Sequence, residues 1–214
     1  MPSKTQITEA QWADSQKHEL GFWKAQFEQG NPEQKARNHY YRNTMEGGCN
    51  LFKDWFAAHD FTGEVLVDIG SGPEGILHVI EGVNWKLAFD PLMQEFREMG
   101  YMVDDHSVWS MITRDDRIGV TTANSDVAFC LNVLDHTQEP AKVLSEIWRI
   151  LKPGGYFLFM VDMRTTEQLD CYHKLALILE QLLEWLKGYE GDYEIIPHQA
   201  GNPVMQFVAV CRKP

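Results

Sequence analysis

The residues best suited to chemistry lie in the stretch EVLVDIGSGPEG, residues 64–75, whose three glycines form a GxGxxG pattern. Glycine lets the backbone turn tightly and approach a ligand closely, because it has no Cβ. A loop of this kind after a buried strand is typical of a site that binds a nucleotide-like cofactor. Gly70, Ser71 and Gly72 are therefore candidate cofactor-binding residues.

Two carboxylates accompany this loop. Asp68 stands two residues before Gly70, and Asp90 follows 22 positions later, at the end of the next apolar stretch. An acidic side chain in that second place can bind both hydroxyls of an adenosine ribose. Asp90 could also cap the following helix, and one carboxylate can do both.

The glycine pattern and Asp90 fit a nicotinamide dinucleotide and S-adenosylmethionine equally well. Asp68 favours the second cofactor, because a carboxylate suits its cationic sulfonium and ammonium groups and would be awkward beside a pyrophosphate. Pro73 also favours it, because proline has no N–H to offer a phosphate.

The elements that must position these residues alternate between apolar strands and helices, which predicts a parallel, doubly wound α/β sheet. No helix separates the last two strands, so they should form a hairpin with the final strand antiparallel. The predicted strands are Glu64–Ile69, Trp85–Phe89, Ile118–Thr121, Asp126–Leu131, Tyr156–Val161, Tyr193–Ile196 and Met205–Val210. The predicted helices are 7–29, roughly 35–59, Glu74–Ile80, Leu92–Met99, Pro140–Leu151 and 166–187.

The opening helices predict an N-terminal helical extension, residues 1–62, packed on a core of residues 63–214. Its aromatic stretch HYYRN, residues 39–43, and the earlier His18 could form a lid over the cofactor. The alternative is that these side chains only pack the extension onto the sheet.

Composition limits the choice of partners and compartment. The chain has 31 acidic and 19 basic side chains, a net charge of -12 that disfavours polynucleotides and anionic lipid. Its four cysteines lack zinc-ligand spacing, which is typical of reduced thiols in the cytosol. The N-terminal residues lack the apolar core of a signal peptide, and the longest apolar run, Tyr156–Val161, is too short for a membrane span. We therefore expect a soluble, cytoplasmic protein.

Four stretches in this order resemble the class I S-adenosylmethionine-dependent methyltransferases, over roughly residues 63–163. They are VLVDIGSGPEG, the FD at 89–90, LNVLDH at 131–136 and LKPGG at 151–155. The resemblance implies a Rossmann-like, seven-stranded sheet with an antiparallel final hairpin. It also implies S-adenosyl-L-methionine as cofactor and S-adenosyl-L-homocysteine as product. The VLDH text is especially similar to methyltransferases of the methyltransferase-domain group that act on small molecules.

The resemblance also assigns roles to the cofactor-binding residues. Gly70, Ser71 and Gly72 would wrap the methionine portion, with Asp68 anchoring either the loop or the ammonium group. The remaining candidates are Asp90 at the ribose, Pro91 and Leu92 beside the adenosine, Thr122 and Ala123 at the adenine, and Asn132 near the reactive end.

His136 is the candidate catalytic residue. It should lie at the rim of the pocket, where an imidazole can accept a proton from a hydroxyl group. A purely structural histidine is the alternative, and the sequence predicts no metal site.

The expected acceptor is a small molecule, methylated more readily at oxygen than at nitrogen or carbon. LNVL replaces the motif of nucleic-acid amino-methylating enzymes, which disfavours a nucleic-acid substrate. Two other functions stay open: a catalytically inactive methyltransferase-like partner subunit, and a nicotinamide-dependent reductase. The expected assembly is a monomer or a homodimer.

Overall fold

A seven-stranded sheet organises the molecule. The computed structural model describes residues 6–28, 49–83, 85–100, 108–112, 117–198 and 203–214. The strands are β1 (Val65–Ile69), β2 (Trp85–Asp90), β3 (Val108–Ile112), β4 (Ser125–Leu131), β5 (Leu151–Met163), β6 (Glu190–Pro197) and β7 (Met205–Arg212). Their spatial order is β3-β2-β1-β4-β5-β7-β6, with β1 to β5 parallel and β7 antiparallel to both its neighbours. This confirms the predicted α/β sheet with an antiparallel final hairpin.

Alternate side chains of the strands build a hydrophobic core on each face of the sheet. In β5, Phe157 and Phe159 belong to one core and Leu158 to the other, as the two-residue period of a strand requires. Both faces of the central strands are therefore buried, so their sequences read as continuous apolar runs. The cores hold the strand ends in fixed positions at one edge of the sheet.

Five α-helices surround the sheet within the described residues. They are α1 (Glu9–Glu28), α2 (Asn50–Ala58), α3 (Met93–Glu98), α4 (Pro140–Ile150) and α5 (Leu179–Trp185). Phe52 of α2 is fully buried in the core on one face, and Ile147 of α4 is fully buried in the core on the other. None of the described helices is both long and apolar enough to traverse a bilayer. Of the predicted helix 35–59, residues 35–48 lie outside the described residues, as does the stretch 39–43.

The third strand is Val108–Ile112, so the prediction of Ile118–Thr121 is wrong. Ile118 and Val120 are buried like strand residues, but their backbone carbonyls accept hydrogen bonds from the Arg149 guanidinium, at 3.0 and 2.8 Å. The Ile118 N–H donates to Glu146. Side chains of α4 therefore make the hydrogen bonds to these backbone groups that a neighbouring strand would make in a sheet.

The predicted helix Glu74–Ile80 is replaced by two 3-10 turns, Gly72–Glu74 and Ile76–His78. Gly75 separates them with an extended ψ of 172°. The Ile76 N–H donates to the Asp68 carboxylate at 3.1 Å, so it makes no α-helical hydrogen bond.

The predicted helix 166–187 is also mostly wrong, since only Leu179–Trp185 is α-helical after a 3-10 turn at Thr166–Gln168. Asp170 folds the intervening chain by accepting hydrogen bonds from the N–H groups of Tyr172 and His173. Three consecutive apolar residues, 175–177, are all buried. A helix that packs by one face does not bury three residues in a row, so this pattern is typical of extended chain. This turn brings His173 toward the end of β4.

Candidate functional site

The glycine loop lies at the carboxyl end of β1 and is packed too closely for any side chain at Gly70. Gly70 has a φ of +68°, and its N–H donates to the Phe89 carbonyl of β2 at 2.8 Å. A Cβ at this position would lie 2.3 Å from the Cγ1 atom of Val133. The loop therefore contacts the ends of both β2 and β4. Ser71 is buried inside the loop.

Asp90 ties the glycine loop to the second strand. One carboxylate oxygen accepts from the Gly72 N–H at 2.9 Å, and the other accepts from the Leu92 N–H at 2.8 Å. Pro91 and Leu92 form the turn that follows, with Leu92 buried. Burial raises the pKa of Asp90 to about 6, although the two N–H groups favour its ionised form. The predicted ribose-binding carboxylate and the predicted loop are thus in direct contact.

Asp68 lies beneath the same loop. Its carboxylate accepts from the Ile76 N–H, and a Cβ at Gly75 would lie 2.2 Å from its Oδ2 atom. Burial raises the pKa of Asp68 to about 8, and the nearby charge of Asp90 adds to the increase. These contacts support the loop-anchoring role among the two that the sequence left open.

The raised pKa of Asp68 has a consequence for stability. Because its ordinary pKa is 3.8, the folded protein holds this proton more tightly than the unfolded chain does. The associated stabilisation is complete below pH 3.8 and is lost as pH rises through about 8. Asp68→Asn keeps an acceptor for Ile76 and removes the charge, so its melting temperature should exceed that of the wild type at pH 9 and approach it at pH 4.

Asp54→Asn is the control for this prediction, because Asp54 is exposed and its replacement removes the same charge. Thermal unfolding of the three proteins across pH 4–9 measures the effect. A melting temperature for Asp68→Asn that falls further below the wild type as pH rises would contradict it.

Asn132 presents an unused polar atom at the end of β4. Its backbone adopts a φ of +61°, and its N–H donates to the Met160 carbonyl at 2.7 Å. Its side-chain Oδ1 is buried and has no hydrogen-bond partner. A buried acceptor of this kind costs free energy unless a ligand group pairs with it, so it fits a cofactor bound at this edge.

Thr122 and Ala123 lie elsewhere. They form the turn that precedes β4, and the Ala123 N–H donates to the Arg149 carbonyl at the end of α4. This turn is at the opposite edge of the sheet from Asn132, about 20 Å away along a seven-residue strand. We therefore leave both residues out of the site. Residues 113–116, which follow β3 in the sequence, lie outside the described residues.

Helix α1 lies across the site edge. The position of a Cβ at Gly72 is 3.7 Å from the Trp23 ring, which also packs edge-on against Phe96. The Trp23 indole N–H donates to the Glu19 carboxylate at 2.8 Å. Trp23 and Glu19 are four residues apart and so share the helix face that covers the glycine loop. His18 instead packs against Tyr172.

His136 faces an acidic and aromatic surrounding at the rim. Its Nδ1 lies 3.8 Å from a carboxylate oxygen of Glu19, and its Nε2 lies 3.8 Å from Asp135. Its ring centroid is 4.6 Å from that of His173. The side chain is 17% exposed, so the imidazole is partly shielded yet open on one side.

Sequence reasoning missed three residues of this site. Glu19 and Trp23 carried a usable signal, because their spacing places them on one face of a predicted helix. No sequence signal identifies His173, because the predicted long helix 166–187 does not place this residue near His136.

Known proteins share this outline. Residues 106–159 match the family described as methyltransferase domain. The ubiquinone biosynthesis O-methyltransferase of Thiobacillus denitrificans is 25% identical over 140 residues, or 61% of this chain and 57% of that protein. The chain thus spans little more than half the length of that relative.

Solved structures share the fold at low identity. The phosphoethanolamine N-methyltransferase 2 of Haemonchus contortus, in complex with phosphomonomethylethanolamine and S-adenosylhomocysteine, has a TM-score of 0.62 and 17% identity. The match covers 82% of this chain and 56% of that one. The [4+2]-cyclase SpnF has a TM-score of 0.57 and 20% identity, covering 72% and 76% of the two chains. Because this neighbour is named for another reaction, the fold alone does not fix the reaction.

Proposed function

We propose that this chain methylates a small molecule. The premise is that the chain is, by fold and by family match, a class I S-adenosylmethionine-dependent methyltransferase. The observation that carries the proposal is the convergence of three groups at one edge of the sheet. The Gly72 N–H is bonded to Asp90, Gly70 contacts Val133, and the adjacent Asn132 holds a buried acceptor without a partner.

The residues present fit S-adenosylmethionine. Gly70, Ser71 and Gly72 would hold its methionine portion, Asp90 its ribose, and Asn132 a donor group near the reactive end. Pro91 and Leu92 would lie beside the adenosine. When bound, the cofactor supplies a methyl group on a cationic sulfur. Asp68 keeps the loop in place through the Ile76 N–H.

The chain's own contribution is to position the reactants and to exclude water. Positioning alone can supply roughly 7–11 kcal/mol of the rate enhancement in favourable cases. Trp23 covers Gly72 and donates a hydrogen bond to Glu19, which supports the proposal that α1 acts as a lid. The two described helices of the predicted N-terminal helical extension therefore have different roles. Helix α1 lies over the site, whereas α2 packs into a core beside the sheet.

His136 is the residue that we place against the acceptor. It lies in the turn after β4, close to Asn132, and is partly open. In this role it would take a proton from the acceptor or orient it, which favours a hydroxyl oxygen as the methylated atom. The relative named as an O-methyltransferase supports the same choice.

The acidic surroundings favour a small acceptor over a polynucleotide. Glu19, Asp90 and Asp135 all lie at this edge, and the net charge of the whole chain is -12. Such a site repels a phosphate backbone. We further propose that the protein works in the cytoplasm as a monomer or homodimer, and four free thiols support that compartment.

The loop geometry disfavours the nicotinamide alternative. A dinucleotide needs N–H groups at a helix start for its pyrophosphate, whereas two short 3-10 turns follow this loop and Pro73 lies in the first. The inactive-partner alternative, a methyltransferase-like subunit that binds either the cofactor or nothing, is distinguished by making no product.

Calorimetric titration separates these alternatives. The full chain should bind S-adenosylhomocysteine and should not bind NAD. Incubation with S-adenosylmethionine and panels of phenols, aliphatic alcohols and amines should then yield S-adenosylhomocysteine with at least one hydroxyl acceptor. Binding of NAD alone would replace this function with the reductase, and cofactor binding without product from any panel would favour the inactive partner.

Asp90→Asn should weaken S-adenosylhomocysteine binding by about 10–100-fold at pH 8, because it removes a charged acceptor for the ribose hydroxyls. Since the pKa of Asp90 is raised to about 6, wild-type affinity should fall as pH drops through 6 and the difference should narrow at pH 5. Glu98→Gln, which removes an exposed charge from the same segment, is the control. Calorimetry at several pH values measures both effects, and equal affinities at pH 8 would refute the ribose role.

A further inference from the structure

Asp135, His136 and His173 converge beside the proposed acceptor position. Each offers a ligand atom, and these atoms all lie within 4.8 Å of one another. The Nε2 atom of His136 is 3.8 Å from one oxygen of Asp135, and the Nε2 atom of His173 is 3.8 Å from the other. Tetrahedral zinc with bonds of about 2.0–2.1 Å needs ligand atoms about 3.3 Å apart, so the separations in the cluster would have to shorten by roughly 0.5–1.5 Å to reach that geometry.

The Asp135 carboxylate is a charge without adequate partners. Its side chain is fully buried, and neither of its oxygens accepts a hydrogen bond. A buried carboxylate normally has paired charges and hydrogen bonds, because its desolvation is otherwise costly. Both of its oxygens instead face imidazole nitrogens at distances too long for hydrogen bonds.

Each histidine also has a carboxylate on its far side. The Nδ1 of His173 lies 2.8 and 2.9 Å from the two oxygens of Asp170, and because a carboxylate only accepts, this nitrogen carries the proton. The Nε2 atom of His173 is thereby an acceptor, and it takes a hydrogen bond from the Arg164 guanidinium at 3.3 Å, which a metal ion bound here would replace. Glu19 occupies the corresponding place beside Nδ1 of His136, at 3.8 Å. At that distance Glu19 makes no hydrogen bond to His136, so only His173 has the hydrogen-bonded carboxylate that typically orients a histidine ligand around a metal.

Arg164 is the neighbouring cation, and it does not satisfy Asp135. Its guanidinium bonds to Asp162 at 2.8 Å and lies 3.3 Å from Nε2 of His173. Its Nε atom faces Asp135 at 3.9 Å and is itself buried without a hydrogen-bond partner. The charge of Arg164 is therefore directed mainly to Asp162.

We propose that Asp135, His136 and His173 bind a divalent transition-metal ion, with zinc as the probe. One carboxylate and two imidazoles suit zinc, cobalt or iron(II), whereas magnesium and calcium prefer oxygen ligands. Three protein ligands leave coordination positions open, as catalytic metal sites require. The proposed metal binding does not depend on the methyl acceptor. The additional proposal that the acceptor's oxygen occupies the open coordination positions rests on the proposed function.

Zinc titration of the chelator-treated full chain, against a competing chromophoric chelator, tests the site. One zinc ion should bind per chain, and His173→Gln should weaken binding at least 100-fold. Asp170→Asn keeps an acceptor for its turn and should weaken binding about 10–100-fold through the orientation of His173. His59→Gln is the matched control, because His59 is similarly buried and bonded to Glu64 but lies outside the cluster.

Cobalt(II) provides a second readout, since its visible spectrum should indicate nitrogen and oxygen ligands without a thiolate band. Circular dichroism checks that each variant is folded, and Asp170→Asn keeps the test valid if His173→Gln does not fold. Absence of zinc binding, or equal affinity in the wild type and both cluster variants, would overturn the proposal. S-adenosylhomocysteine binding is measured separately without metal, so failure of the cofactor site and failure of the metal site are distinguished.

Discussion

Replacement of His136 with glutamine is expected to lower kcat for methyl transfer by about 10²–10⁴-fold, the range typical of a group that handles the acceptor's proton. The affinity for S-adenosylhomocysteine should stay within about twofold of the wild-type value. His136 lies at the rim beside Glu19 and Asp135, whereas the cofactor contacts come from the glycine loop, Asp90 and Asn132. Steady-state kinetics with a hydroxyl acceptor from the panel, together with calorimetry, measures both quantities.

The matched control is His59→Gln, which removes a similarly buried histidine outside the site and should leave kcat unchanged. A kcat for His136→Gln within threefold of the wild-type value would refute the proposed role of His136 in the reaction. His173→Gln then separates the two possible roles. If His136 acts alone on the acceptor, this variant keeps its turnover; if both are metal ligands, it loses turnover and zinc together.

Gly70→Ala is expected to weaken S-adenosylhomocysteine binding by more than 100-fold. The new Cβ would lie 2.3 Å from Val133 Cγ1, so either the loop or the end of β4 must move away from the cofactor. The positive φ of Gly70 adds about 1–2 kcal/mol of backbone strain, and overpacking typically costs about 1–3 kcal/mol more. Calorimetry measures the affinity and thermal unfolding measures the stability.

Gly63→Ala isolates the backbone strain, because Gly63 has a φ of +77° and a Cβ added there would have no atom within 4 Å. Its melting temperature should exceed that of Gly70→Ala by roughly 2–12 °C, the overpacking difference converted for a chain of this size. The double variant Gly70→Ala with Val133→Ala removes the clashing methyl groups and should recover part of the affinity. Equal melting temperatures for Gly63→Ala and Gly70→Ala would show that contact with Val133 does not affect stability.

The sequence was sufficient to predict the central elements of the fold. The strands around Val67, Phe129 and Phe159 are buried on both faces, so each is a nearly continuous apolar run that is legible without the structure. Their parallel pairing and the antiparallel final hairpin are predicted from the helical stretches between strands and the absence of one between the last two. The cofactor residues Gly70 and Asp90 follow two of these strands directly, so they were found together with them.

Errors arose where side chains, rather than regular backbone pairing, decide the local structure. Ile118 is buried like a strand residue, but Arg149 and Glu146 bond to its backbone. Asp170 folds a turn where leucine spacing predicted a long helix. The family resemblance predicts Thr122 at the adenine, but this residue lies in the turn that precedes β4.

The sequence by itself determined the parallel sheet, the glycine loop and the two carboxylates, because these depend on local periodicity and on residues adjacent to a strand. Only the tertiary structure decided what surrounds His136. Glu19 comes from a helix more than a hundred residues earlier, and His173 from a turn after β5. Such contacts depend on how separate segments pack over the sheet edge, and no short-range pattern encodes that packing.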